Sequence, residues 1–89
     1  MKTIYKYPIP IKHFFNLELP RDAKILSFQT QLGIPVIWAL INPENELIKR
    51  DFCIRGTGEP DYSEDRHIRT YLGTIQTGAL VWHLFEEVK

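Results

Sequence analysis

Cysteine occurs once in these 89 residues, at Cys53, which excludes an intramolecular disulfide and any zinc site built from several thiolates. An excess of one charge sign is also missing. Eleven Lys and Arg stand against eleven Asp and Glu, so no net field gathers DNA or RNA by counterion release, and nucleic acid is not an expected partner. No apolar run approaches the ~20 residues that span a bilayer, so no membrane partner is expected. The N-terminus has no basic segment followed by an apolar one, so no signal peptide is expected. The three histidines show neither HxH nor HxxxH spacing, and no converging set of imidazoles and carboxylates is expected to hold a metal. Together these absences imply a reducing, cytoplasmic setting without a cofactor.

What is present is an ordinary globular balance, 44% apolar and 25% charged residues. Residues 1–89 are read as a single domain. A chain this short buries roughly two-thirds of its unfolded surface, so self-association into a homo-oligomer is expected as a way to add buried area.

The dominant period is two. In Lys24–Leu32, Leu26, Phe28, Thr30 and Leu32 alternate with Ser27, Gln29 and Gln31, the pattern of a half-buried strand. Gly33 turns the chain into Ile34–Ile41, IPVIWALI, apolar on both faces and therefore expected to be covered on both sides. Asn42-Pro43-Glu44-Asn45 is a turn. Glu46–Arg55 alternates again, with Ile48, Phe52 and Ile54 on one face and Arg50 interrupting it. These three segments read as an antiparallel meander. Thr3–Ile9, Phe14–Leu19, Tyr71–Thr77 and Ala79–Val88 complete about seven strands, the last apolar on both faces. Residues 56–66 form the longest loop, with at most one helical turn capped by Ser63. The predicted fold is all-β, about seven short antiparallel strands as a small sandwich or partly open barrel.

Catalytic constellations are missing. RGTGEP, residues 55–60, has two glycines and an arginine that could cradle an anion. It lacks the lysine and following helix of a phosphate loop, and Glu59 and Asp61 would repel a phosphate. Glycine-assisted turning of the chain accounts for it better. Cys53 is expected to point away from Phe52 and Ile54, toward the side carrying Asp51 and Arg55, with no histidine to activate it. Ser27 and Ser63 lie in no nucleophile elbow. No enzyme activity is expected. For a small ligand such as a nucleotide, the candidate contacts are Arg55, Thr57, Arg69 and His83, with Trp38 or Trp82 stacking.

The segments KTIYKYPI, AKIL, WALINPE, RGTGEP, YLGTIQ and GALVWHLFE, in that order, resemble a family of small proteins encoded mainly by bacteriophages and prophages. The family carries no assigned activity, so no residue inherits a role; Tyr62–Arg69 departs most from its pattern. The resemblance implies a bacterial cytoplasm during infection or lysogeny. The expected function is a non-enzymatic module docking on a host or phage protein, with counter-defence as a setting implied by phage context. A nucleotide-binding or sequestering protein is the alternative.

Overall fold

The computed structural model describes residues 1–60 and 68–88. Seven strands are present: β1 (Thr3–Pro8), β2 (Phe14–Pro20), β3 (Lys24–Gln31), β4 (Ile34–Ile41), β5 (Leu47–Gly56), β6 (Ile68–Thr77) and β7 (Leu80–Val88). They form a three-stranded sheet, β1-β4-β3, and a four-stranded sheet, β2-β5-β7-β6, antiparallel throughout. The sheets do not close into a barrel, so the fold is the sandwich of the two expected architectures. Among the described residues no helix is long and apolar enough to cross a membrane.

The strands read as apolar on both faces take interior positions. β4 lies between β1 and β3, and β7 lies between β5 and β6. An interior strand has its neighbours' side chains on either side of it on each face, and this rewards apolar residues there. Ile37, Ala39 and Ile41 of β4 meet Phe28 of β3, Leu19 of β2, Phe52 and Ile54 of β5 and Leu84 of β7 in one core. The sheets approach most closely where β3 lies against β6. A Cβ on Gly73 would come 3.1 Å from the Phe28 Cβ, so glycine there permits the contact. The product is a slab, 41 × 35 × 15 Å. Its radius of gyration, 13.4 Å, exceeds the roughly 12 Å of a rounder domain of this length.

Arg50 interrupts the apolar face of β5, yet it is not at the margin of the fold. Its Nε and Nη2 donate to the Glu86 carboxylate on β7 at 2.6 and 2.7 Å, and Nη1 donates to the Ala23 carbonyl at 2.6 Å. One guanidinium therefore ties the four-stranded sheet to the start of β3. Its bidentate bonds to Glu86 hold the Arg50 pKa above its ordinary value.

Several sequence expectations are corrected. The meander stops at β4: β5 joins the other sheet, between β2 and β7. Asn42 Oδ1 accepts the Glu44 N–H, and the Asn42 carbonyl accepts that of Asn45, so the turn carries the chain across the sandwich. A bulge between Ile25 and Ser27 shifts the alternation of β3. Ile25, not Leu26, packs on the core, and Leu26 is exposed. Leu32 lies beyond β3 in the turn. β6 begins at Ile68, three residues before the expected Tyr71, because Ile68, Arg69 and Thr70 pair with Val88, Glu87 and Glu86. Only one side of β4 is fully covered, since Ile34 on its other side is exposed. The turn proposed at Ser63 lies outside the described residues.

Candidate functional site

The RGTGEP segment does hold an anion, and the anion is its own. Gly58 takes φ 89°, and the Glu59 N–H returns to the Gly56 carbonyl at 3.1 Å, closing a turn. The turn brings Glu59 Oε1 to the Gly56 N–H at 3.0 Å, while Oε2 meets His13 Nε2 at 2.9 Å. A Cβ on Gly56 would fall 2.5 Å from Glu59 Oε1 and 3.1 Å from the Trp82 ring. A side chain at position 56 would displace the Glu59 carboxylate, so glycine preserves this internal contact, and no ligand need be invoked.

The outward side of the four-stranded sheet carries the polar candidates. Arg55 stands opposite His83 in the register. His83 Nε2 lies 2.7 Å from Thr57 Oγ1 and its Nδ1 lies 3.0 Å from Thr74 Oγ1; Thr74 in turn bonds the Tyr71 hydroxyl. Both ring nitrogens therefore meet hydroxyls that donate or accept as the tautomer requires. The Arg55 guanidinium lies over the Phe14 ring at 4.8 Å and donates to the His13 carbonyl at 3.1 Å. Further along, Arg69 meets Glu87 at 3.5 Å. Cys53 shares this side, as alternation predicted, but it is fully buried, so an exposed thiol is excluded. Burial pushes the Cys53 thiol up to about 11; Arg69 and Arg55 pull it back only in part, and the neighbouring Glu87 carboxylate raises it further.

The structure thus joins Arg55, Thr57 and His83 and sets Arg69 four register positions along β7; Trp38 is apart from all of them, and Trp82 shares a groove with Thr57 but not the side that carries Arg55 and His83. Trp82 points to the opposite side of its sheet, its Nε1 donating to Thr77 Oγ1 at 2.9 Å. There it lines a groove of about 320 Å³ with Gly56, Glu59 and Leu80. Trp38 is on the other sheet. Any ring stacking beside His83 falls to Phe14, Tyr71 or Phe85, none of them among the stacking residues expected from the sequence.

The outward side of the three-stranded sheet has a different character. Ile34, Val36, Trp38 and Leu40 of β4 line up along it, flanked by Ile4, Lys6 and Pro8 of β1. Ile4 and Ile34 are exposed, at 58% and 54%. Lys6 stands opposite Trp38 and Gln31 opposite Ile34, so the 2.6 Å bond from Lys6 Nζ to Gln31 Oε1 crosses β4 above Val36. That strap explains why Val36 is only 1% exposed on a side that no other sheet covers. At one end Lys2, Lys24 and Leu40 line a hollow of about 280 Å³ beside Asn42 and Asn45. At the other end Leu32 projects from the β3–β4 turn, 98% exposed with φ 51°. The Leu-Gly dipeptide was the available signal, because a two-residue turn of this kind prefers Asn-Gly.

Among the described residues no three His, Cys, Asp or Glu side chains are grouped to hold a metal ion. No match was found among curated proteins or among solved structures. A family model described as Domain of unknown function (DUF7352) matches residues 1–89, and the chain belongs to that family.

Proposed function

We propose that this chain is a non-enzymatic binding module that docks on another protein through the outward side of its three-stranded sheet. The observation that carries this reading is the row Ile34, Trp38 and Leu40 with Ile4 beside it, ending at Leu32. A single exposed aliphatic is ordinary, but a row along one strand with an aromatic anchor, broken only where Lys6 and Gln31 cover Val36, has the composition of an interface centre. Leu32 adds a separate argument. A non-glycine residue at positive φ costs roughly 1–2 kcal/mol, and in the isolated chain a fully exposed leucine gains nothing in return. Strain of this kind is retained where a contact rewards it.

The motif resemblance supports a bacteriophage or prophage gene acting in the bacterial cytoplasm, hence a host or phage protein as partner. Blocking a host defence component is the role inferred from that setting. A photo-crosslinking residue placed at Ile4 or Ile34, in bacterial cells, is expected to yield one discrete protein adduct. The same residue at Leu47, equally exposed but on the other sheet, is expected to yield none. Adducts from Leu47 alone would sink the reading.

A second reading is favoured by the meeting of Arg55, Thr57 and His83: a small anionic ligand such as a nucleotide bound on the four-stranded sheet. A nucleotide-dependent rise in melting temperature, lost in Thr57→Val, is the measurement that checks it.

A further inference from the structure

The three strands of the smaller sheet contain no Asp or Glu; their charged residues are Lys6 and Lys24. Lys2 reaches the same hollow as Lys24, and the only charges on the outward face of the strands themselves are ammonium groups, in a chain that is neutral overall. Asp22 and Arg21 also line that hollow, so its cations outnumber its single carboxylate, and Arg21 is bonded to Glu46. Apolar rows and ammonium groups alternate along one line. Leu40 borders the Lys2–Lys24 hollow, Trp38 stands opposite Lys6, Val36 lies under the strap, and Ile34 ends the row next to Leu32.

Resting on the docking reading above, we propose that the occupant is an acidic protein segment laid along β4, alternating carboxylates with aliphatic side chains. One carboxylate sits in the hollow between Lys2 and Lys24, and a second takes the Lys6 ammonium from Gln31. The exchange is favourable because the amide oxygen of Gln31 is a neutral acceptor, whereas a carboxylate forms a charge-assisted bond roughly twice as strong. Moving Lys6 uncovers Val36, and an aliphatic side chain of the partner then fills the opened site. Leu40 and Ile34 are six residue steps apart, so the line is about 20 Å long and takes about seven residues of extended chain.

Charge also selects among other occupants. A second copy docking by the same side would set lysine against lysine. Single-stranded nucleic acid is better served by interleaved arginines and several stacking rings; among the described residues the strands of this side carry no arginine and one tryptophan, and the arginine lining the end hollow, Arg21, is held by Glu46.

The test is a titration of the ¹⁵N-labelled full chain with three probes: an octapeptide alternating Glu and Val, its Lys and Val counterpart, and an eight-residue oligothymidine. The acidic peptide is expected to shift the amides of Ile4, Lys6 and Val36 and the Trp38 indole. Its affinity should fall about tenfold at high salt, and about tenfold in Lys6→Glu, with no change in Lys49→Glu on the other sheet. Lys6→Gln, whose amide can still meet Gln31, guards against a folding defect and should weaken binding several-fold. Equal shifts from the basic peptide would remove the acidic partner while leaving a docking surface in place. Comparable shifts from oligothymidine, concentration-dependent dimerisation through these residues, or no shift on this side from any probe would each overturn the proposal. The crosslinking comparison judges the docking reading separately.

Discussion

Glu59 and Cys53 are the two residues whose roles depend most on what lies beside them. An anion-cradling backbone at Gly56 could be suspected from RGTGEP, but the identity of the anion could not, because Glu59 reaches it only after Gly58 turns the chain. His13, which completes the contact, arrives from the β1–β2 connection. For Cys53, alternation put the thiol on the correct side of β5, while its burial depends on groups brought in from other strands. A buried neutral thiol that titrates near 11 has a definite consequence for stability. Below the unfolded-state value near 9 the thiol is protonated in both states and costs nothing. As pH rises toward 11 the unfolded chain releases its proton while the folded chain keeps it, so stability falls, by on the order of 2 kcal/mol across that window. Urea unfolding at pH 8, 9 and 10.5 should show this decline, and Cys53→Ala should flatten it. An equal decline in the variant would rule out the assignment. Thiol reagents at pH 8 should react slowly with the native chain and quickly in denaturant.

At the level of the element, the β3–β4 hairpin shows how a turn residue and a strand residue can be confused. Leu32 continues the alternation Leu26-Phe28-Thr30 on paper, but two consecutive residues at positive φ, Leu32 and Gly33, close the hairpin. The bulge at Leu26 had already broken the alternation. Strand existence was legible because β-branched and aromatic residues at period two have few other uses; the bulge was not, because one extra residue leaves no compositional mark. Leu32→Asn should stabilise the isolated chain by about 0.5–1 kcal/mol, since asparagine tolerates the left-handed region. The same change should weaken docking, because it removes the projecting side chain. Chemical denaturation and the crosslinking yield at Ile34 read the two effects independently. Destabilisation by Leu32→Asn would show that leucine is there for the fold.

Across the whole molecule, the Arg50–Glu86 pair and the Ala23 carbonyl bridge the two sheets at a place where an apolar residue would read more naturally. Both side chains are largely buried, 23% and 16% exposed, so removing one partner leaves the other desolvated and unpaired. Arg50→Met should cost about 3 kcal/mol, the lower end for breaking a buried pair. The double variant Arg50→Met, Glu86→Leu should recover most of that loss. Urea denaturation of the two variants and the parent measures this. A single-variant loss below about 1 kcal/mol would mean the pair is solvated in solution.

The all-β class and the existence of about seven strands follow from local chemistry. Period-two patterning and turn residues act over a few neighbours, so strand existence is written locally. Which strands pair, and therefore which side chains meet, was settled only by the tertiary structure. β5 abandons β4 for β2 and β7, Lys6 reaches Gln31 over Val36, and Trp82 turns away from His83. Each of these depends on register between segments distant in sequence. A shift of one residue there reverses every side chain, and no pattern within a single strand encodes it.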